Sequence, residues 1–298
     1  MKRTPLFDSK LQSRCVGDLK FSERIQKLSE VENYFIDECT RRRIFWSYDV
    51  SSWEPLYFDT INYTTYAGCF IMNPLQPEIG QRQVYDALRD EVSTVDFVSY
   101  FKDKIENQSA NKYIKENQRI DKDYEALVVL PGNNKLMVSV CVRKLRWIID
   151  RHGENVLFKP HPLTGKKMID KLKKEINREK MVVAPIDSDL YEVLPNVDTV
   201  YTSHVSESAM YATVIGKEIS PIDRITKRQP SSFGHINYFL FNELDPISII
   251  NPMLSSHKSG IVCPEIEPNW KEKVTSYLDY ILQVREKVKD HFIQGDYK

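Results

Sequence analysis

The sequence predicts an α/β fold whose second half is a parallel β-sheet flanked by helices. Between residues 125 and 222, apolar runs of strand length alternate with segments of helical periodicity, as they do in βαβ units. The chain of 298 residues is long enough for two domains of ordinary size. Its hydrophobic content of 41%, with 16 Tyr and 13 Phe, supplies enough apolar surface for two cores, so extensive disorder is excluded.

The strands and helices of this second half follow from short apolar runs and from the residues that stop them. The first strand ends at Pro131-Gly132, and the helix after it ends at His152-Gly153. Helical patterns separate consecutive strands, so we expect a parallel sheet with helices on both faces. The predicted strands are 126–130, 155–158, 181–184, 199–202 and 218–222, and the predicted helices include 138–149, a segment that begins near 164, 190–194 and 206–215.

The remaining residues suggest a second domain. Aromatic and β-branched residues between Arg41 and Leu75 favour strands, and helical patterns follow near 82–91 and 97–116. The polar stretch from Glu106 to Asp123 is the predicted connection between domains. The final segment is amphipathic, so we expect it to pack as a helix on the first domain. The predicted domains are therefore 1–122 together with 268–298, and 123–267.

Charge and cysteine content narrow the class of protein. Lys plus Arg and Asp plus Glu each number 42, so an anionic ligand must be held by a local patch and not by an overall field. No apolar stretch approaches the ~20 residues of a membrane-spanning helix, and no secretion signal follows the N-terminus, so a cytoplasmic protein without a transmembrane segment is expected. The cysteines contain no CxxC pair, which argues against a disulfide framework and a zinc site; they are Cys15, Cys39, Cys69, Cys141 and Cys263.

Polar residues follow three of the predicted strands, where an open parallel sheet binds its ligands. Lys159 and His161 can carry positive charge, and the hydroxyl-rich segment after the fourth strand leads directly into a helix, whose first N–H groups can bind phosphate. We therefore expect a phosphate-bearing ligand, and we favour the leaving group of a nucleotide sugar. The candidate binding residues are Gly132, Asn133, Lys159, His161, Ser206, Glu207 and Ser208.

Two of these segments resemble a known family. The sequence FKPHP, followed about forty residues later by VYTSHVSESAMYATVIGKEIS, is similar to the C-terminal half of GT-B glycosyltransferases of the His-Pro motif type, which include sialyl, Kdo and capsule transferases. The resemblance covers about residues 125–222. It implies a GT-B fold of two Rossmann-like domains with the C-terminal helix crossing back. It also implies that His161, Ser206 and Ser208 contact the phosphates of the sugar nucleotide and that Gly132 lies near the nucleotide.

The chain departs from the family pattern after the serines. Capsule-type enzymes usually carry a Glu-Ala pair there, whereas this chain has Ala209-Met210-Tyr211-Ala212, so Glu207 is the candidate for the ribose contact from a shifted position. The resemblance implies a metal-independent transfer from a UDP- or CMP-sugar. Lys159, His161 and the helix that follows Ser206 would stabilise the departing phosphate.

An inverting transfer also needs a base that takes the proton of the acceptor hydroxyl. Three carboxylates of the N-terminal domain are candidates because each has aromatic or proline neighbours that suggest a loop: Asp49, Glu54 and Glu78. We favour Asp49. His161 and Asp49 are therefore the predicted catalytic residues.

The acceptor has two competing interpretations. Arg41-Arg42-Arg43 is followed by Phe45, Trp46, Tyr48 and further aromatics, a mixture typical of proteins that hold a phosphate backbone and an extruded base. In size and general character the chain is also similar to the DNA-modifying glycosyltransferases of tailed phages. This resemblance implies the hydroxymethyl group of a modified pyrimidine in phage DNA as the acceptor, which we favour. A core role for the aromatics remains open.

The alternative acceptor is a capsule or lipopolysaccharide glycan. The segment KKMIDKLKKEINREK would then offer a basic surface to a membrane. A third hypothesis, supported by the missing Glu-Ala pair, is an inactive sugar-nucleotide-binding module.

Overall fold

The computed structural model describes residues 19–48, 60–74, 77–90, 95–107, 120, 123–132, 140–161, 164–176, 181–185, 188–223 and 234–293. In chain order, these ranges form α1 (Leu19–Arg41), β1 (Phe45–Tyr48), β2 (Thr60–Tyr66), β3 (Cys69–Pro74), α2 (Pro77–Leu88), α3 (Phe97–Glu106), β4 (Ala126–Val129), α4 (Val142–His152), β5 (Val156–Lys159), α5 (Lys166–Ile176), β6 (Val182–Val183), α6 (Leu190–Val193), β7 (Thr199–Thr202), α7 (Ser208–Val214), β8 (Glu218–Pro221), α8 (Gly234–Asn242), α9 (Pro246–Ser255), β9 (Ile261–Val262) and α10 (Trp270–Ile293).

The second half of the chain forms the predicted parallel sheet. Its strand order is β6-β5-β4-β7-β8, and every neighbouring pair is parallel. The residues of β4, β5 and β7 are all buried, because helices cover both faces of the sheet. The prediction of an α/β fold is thereby confirmed, and the five strands lie within a few residues of the predicted positions.

The two faces of this sheet have different neighbours. On one face, α4 and α5 bury Leu145, Ile149 and Leu172 in a core shared with Val128 and Phe158. On the opposite face, α7 packs on the sheet and also meets α3 of the first half of the chain, where Phe101 and Tyr211 make an edge-to-face contact at 5.9 Å. The helices α4 and α5 therefore cover the sheet on the side away from the first half of the chain.

The GT-B resemblance implies a Rossmann-like domain in the first half of the chain as well, but the first sheet has a different topology. Its order is β1-β2-β3-β9; β1 and β2 are parallel, whereas β2, β3 and β9 are antiparallel neighbours. The reversal between β2 and β3 occurs at Ala67-Gly68, both of which have positive φ (51° and 81°), as a tight hairpin turn needs. A two-residue connection permits only an antiparallel pair, because a parallel crossover needs a dozen residues or more.

The chain returns to the first sheet at β9, before the final helix begins. Strand β9 lies inside the segment 123–267 that the sequence assigns to the C-terminal domain, yet Phe70 pairs with Val262 and Ile71 with Ile261. Gly260 makes this pairing possible: its φ is +70°, and a Cβ there would lie 2.2 Å from the carbonyl oxygen of Met72. Only glycine allows the two backbones to approach so closely at this point.

The final helix α10 packs on the first sheet beside α1. Val274, Tyr277 and Leu278 share a core with Phe35 of α1 and Phe70 of β3. Among the described residues, no helix has both the length and the apolar character that a membrane crossing needs.

Candidate functional site

The strand order of the second sheet creates a topological switch point at its carboxyl edge. From β4 the chain proceeds through β5 to β6 on one side, and then returns to β7 and β8 on the other side. β4 and β7 are neighbours in the sheet. The connection after β4 therefore leads to one side of the sheet, and the connection after β7 leads to the other side. Open α/β sheets bind their ligands at such a switch point.

Two of the predicted residues meet at this edge. Gly132 follows β4, and His161 follows β5. A Cβ on Gly132 would lie 3.6 Å from Nδ1 of the His161 ring and 3.7 Å from its Cγ, so an added methyl group would sit directly against the imidazole. His161 is half-buried. The absence of a side chain at Gly132 thus leaves room beside the imidazole.

Lys159 ends β5 two residues before His161. Its side chain is almost fully buried, and Nζ donates a hydrogen bond to the carbonyl oxygen of Pro160 at 2.8 Å. The ammonium group is therefore held at the carboxyl end of the sheet, next to the segment that carries His161. Its charge acts at a fixed place there, in surroundings that screen it less than bulk water does.

Hydrogen bonds hold the segment between β7 and α7 in one conformation. The Ser208 hydroxyl lies 2.6 Å from Oγ1 of Thr202 and 2.7 Å from Oγ of Ser206. Ser208 is buried, whereas Ser206 and Glu207 are half-buried. Of the two predicted phosphate-binding serines, Ser208 is thus engaged within the protein and Ser206 is the more accessible. Helix α7 begins at Ser208, so Ser206 precedes it by two residues.

A side chain from α8 fastens the same segment to the first sheet. Nδ2 of Asn237 donates to the carbonyl oxygens of His204 at 2.7 Å and Ser206 at 2.9 Å, and its Oδ1 accepts a hydrogen bond of 2.5 Å from the hydroxyl of Tyr66 in β2. Burial, with a further contribution from the Glu207 carboxylate, raises the pKa of Tyr66 well above its usual value. Tyr66 therefore stays protonated and acts as a hydrogen-bond donor at this junction.

A buried histidine and aspartate lie at the same edge. His204 follows β7, and its Nδ1 is 2.8 Å from Oδ2 of Asp223, which follows β8. Asp223 also accepts hydrogen bonds from the hydroxyl of Ser203 and the backbone N–H of His204. The opposite ring nitrogen, Nε2 of His204, is buried and has no hydrogen-bond partner among the described residues.

Sequence reasoning missed the role of this pair. Asp223 lies 19 residues beyond His204 and in no recognisable motif, and only the adjacency of β7 and β8 brings the two together. The alternation of strand and helix would have placed both residues at the carboxyl edge. It would not have shown that they touch.

The structure does not test every predicted residue. Asn133, Asp49 and Glu54 are outside the described residues. Glu78 lies in the first turn of α2 rather than in a loop. Asp49 therefore stays a prediction from the sequence, as does Glu54.

The arginine run at the end of α1 is largely engaged within the protein. Arg41 and Arg42 both contact Glu38, and Arg42 also contacts Asp279 of α10 at 3.0 Å. Burial acts to raise the pKa of Glu38, but the hydrogen bonds from both arginines outweigh it, and the pKa is lowered. Much of the positive charge that was expected to hold a phosphate backbone is thus balanced by these carboxylates.

Comparison with known proteins does not assign this chain to a family. No protein-family model matches it, and no curated protein sequence matches it. Within the part of the chain that the structure describes, no three His, Cys, Asp or Glu side chains converge as a metal site would require. The geometry at the carboxyl edge is therefore the basis for inferring function.

Proposed function

We propose that the chain is a glycosyltransferase that uses a nucleotide sugar and binds the phosphates of the donor at the carboxyl edge of the second sheet. The observation that carries this proposal is the closeness of Gly132 to the His161 imidazole beside the switch point of a parallel sheet, since a Cβ on Gly132 would lie 3.6 Å from Nδ1 of the ring. A glycine leaves space for a ligand, and the adjacent imidazole supplies a polar group that can meet it. The donor class that we favour is a UDP- or CMP-sugar.

Each side chain at this edge has a distinct role in the proposal. His161 contacts the phosphate, and Lys159 contributes a fixed positive charge. Ser206 offers a half-buried hydroxyl, whereas Ser208, which bonds to Thr202 and Ser206, positions it. Glu207 is the proposed ribose contact. Catalysis then consists of holding the donor and stabilising the charge that develops on its phosphate.

The transfer itself forms one bond and breaks another. The acceptor hydroxyl oxygen bonds to the anomeric carbon and gives up its proton to a base. The bond from that carbon to the phosphate oxygen breaks, and its electron pair leaves with the nucleotide. Asp49 remains the base that we propose from the sequence. His204 is a second candidate, because its Nδ1 lies 2.8 Å from Oδ2 of Asp223 and its Nε2 has no hydrogen-bond partner among the described residues.

Replacing His161 by alanine is expected to lower donor turnover by about a hundredfold, the scale of a lost electrostatic contact to the transition state. The melting temperature is expected to change little, since the ring is only half-buried. The measurement is a screen of UDP-, CMP-, GDP- and TDP-sugars by mass spectrometry, with and without DNA that contains 5-hydroxymethylcytosine. His257→Ala is the matched control, because His257 follows α9 and is also half-buried. Full turnover in His161→Ala would contradict the proposal.

The acceptor is proposed to be a polyanion, and a specific surface supports this. The outward sides of α4 and α5 carry nine cationic and three acidic side chains, an excess of six in a protein of zero net charge. The two helices are joined where Arg146 donates to the carbonyl oxygen of Glu175 at 2.5 Å. Trp147 is 43% exposed on this surface, with Nζ of Lys144 4.2 Å from the ring centroid. Duplex DNA with hydroxymethylated pyrimidines remains the acceptor that we favour.

Reversing three charges of this surface, in Lys167→Glu, Lys171→Glu and Lys174→Glu together, is expected to weaken duplex binding at least tenfold at ~0.1 M salt. The slope of log affinity against log salt should also become less steep by about three, because three phosphate contacts are lost. Lys27→Glu, Arg89→Glu and Lys102→Glu together form the control, since these exposed residues of the first half give the same change in net charge. If neither the unmodified protein nor the triple variant of Lys167, Lys171 and Lys174 binds DNA, but that variant loses binding to anionic vesicles, the membrane glycan would be favoured instead.

A further inference from the structure

Two cysteines that are distant in the sequence face each other across neighbouring strands. The register of β3 and β9 pairs Phe70 with Val262 and Ile71 with Ile261, so Cys69 lies opposite Cys263 at the next position. Residues that are directly opposite in an antiparallel pair place their side chains on the same face. The two thiols therefore point to the same side of the first sheet.

The hydrogen bonding of the two strands places this pair at a close position. The backbone N–H of Met72 donates to the carbonyl oxygen of Gly260, which makes that pair a hydrogen-bonded one. Hydrogen-bonded and non-hydrogen-bonded pairs alternate along an antiparallel ladder, so the position of Cys69 and Cys263 is non-hydrogen-bonded. The Cα atoms of such pairs are about 4.5 Å apart. A disulfide spans Cα separations of roughly 4.4–6.8 Å.

The two thiols already interact. They hydrogen-bond to each other, both are buried, and the hydroxyl of Tyr100 also hydrogen-bonds to Cys263. Burial acts to raise the pKa of Cys263, but the hydrogen bonds from Cys69 and Tyr100 outweigh it and the pKa is lowered. Burial, together with the hydrogen bond to Cys263, raises the pKa of Cys69 well above its usual value. Cys263 is therefore the more acidic thiol of the pair.

We propose that Cys69 and Cys263 are a disulfide-forming site, which a peroxide oxidises to a bond across β3 and β9. The Cys263 thiolate attacks one peroxide oxygen, and the O–O bond breaks to give a sulfenic acid and, with one proton, water. The Cys69 sulfur then attacks the sulfur of Cys263, and the hydroxyl group leaves as a second water with the Cys69 proton. Two thiols are oxidised, and one hydrogen peroxide is reduced.

The bond would fasten the returning part of the chain to the first sheet. β9 follows α8 and α9, and α8 carries the Asn237 side chain that holds the serine segment of the candidate site. A link between Cys69 and Cys263 closes a long loop of chain, which restricts the unfolded ensemble more than the folded one. The proposed disulfide rests on the strand register and on the interaction of the two thiols, and it is independent of the proposed transferase activity.

The test is oxidation of the full-length folded protein with hydrogen peroxide at neutral pH, followed by proteolysis without reductant and mass spectrometry. We expect a cross-linked peptide that contains Cys69 and Cys263, and a rise in melting temperature of at least about 5 °C that a reductant reverses. Cys69→Ser should abolish both effects. Cys141→Ser should retain both, because Cys141 lies at the start of α4, remote from this pair.

A second preparation addresses access of the oxidant to the buried thiols. The reduced protein is unfolded and refolded in a glutathione redox buffer, in which disulfide exchange can proceed before the core closes. The same cross-linked peptide is expected. Absence of this peptide from both preparations, or an equally abundant cross-link between Cys263 and another cysteine in Cys69→Ser, would overturn the proposal.

Discussion

Replacing Glu267 by alanine is expected to lower the free energy of unfolding by about 3–5 kcal/mol, the usual result of breaking a buried ion pair from one side. Glu267 accepts a hydrogen bond from Nζ of Lys273 in α10, and its other oxygen accepts one of 2.6 Å from the backbone N–H of Cys263. Both side chains are nearly inaccessible, with 7% and 4% exposure. In the variant, the buried ammonium group of Lys273 keeps the carbonyl oxygen of Leu254 as an acceptor, but it has lost its carboxylate partner.

The same variant should also change how stability depends on pH. Burial lowers the pKa of Lys273, and the Glu267 carboxylate opposes that shift. Without the carboxylate, the folded-state pKa falls further below the value of an unfolded lysine. At pH values between the folded-state and the unfolded-state pKa of Lys273, the unfolded chain then binds more protons than the folded one. Stability of the variant therefore rises as pH is raised towards the lysine value of about 10.5.

Chemical denaturation at several pH values measures both effects. Pairing Glu267→Ala with Lys273→Met should recover much of the lost stability, since the double variant buries no unpaired charge. Arg82→Ala is the surface control. The side chain of Arg82 is exposed where it pairs with Asp86, so little change in the free energy of unfolding is expected. An equal loss in the single and double variants would show that packing, and not the unpaired ammonium group, sets the effect.

Acidification from pH 6.5 to about 4 is expected to remove about 3 kcal/mol of stability through His235 alone. Burial lowers the pKa of His235 in α8 from 6.5 to about 4. Across that interval the unfolded chain takes up a proton that the folded protein excludes, so unfolding becomes progressively easier as pH falls. The size follows from about 1.4 kcal/mol for each unit of pKa difference.

The matched variant is His235→Leu. Neither ring nitrogen of His235 has a hydrogen-bond partner among the described residues, so an apolar side chain of similar volume sacrifices no such bond at neutral pH. Urea denaturation of both proteins at pH 7, 6, 5 and 4 isolates the contribution of this residue, because other titrating groups cancel in the difference. Parallel curves for the two proteins would mean that His235 does not resist protonation.

The sequence predicted the second sheet well because the information that determines it is local. Apolar runs of four residues alternate with helical patterns, and turn residues such as Pro131-Gly132 and Gly216 mark the boundaries. Since consecutive parallel strands need crossover helices, this alternation also predicts that their carboxyl ends share one edge. Gly132 and His161 were therefore expected near each other, and a Cβ on Gly132 would lie 3.6 Å from the imidazole.

The first sheet could not be predicted in the same way. β9 has only two residues, too few for a recognisable pattern, and it pairs with β3 far earlier in the chain. Arg42 gave a similar difficulty, because the aspartate that contacts it lies 237 residues away. No local pattern in the sequence indicates that β9 pairs with β3 or that Asp279 contacts Arg42. Charge and strand propensity alone therefore predicted a basic run and a strand-rich segment, but not their distant partners.

What the sequence determined by itself was the α/β class, the positions of the five parallel strands and the polar segments that follow them, because periodicity and turn residues act over a few neighbours. The tertiary structure decided the antiparallel first sheet, the contact of His204 with Asp223 and the pairing of Cys69 with Cys263. Each of these joins residues that only strand adjacency brings together. Such adjacency is chosen by the burial of whole apolar faces, a property of the folded chain and not of any single segment.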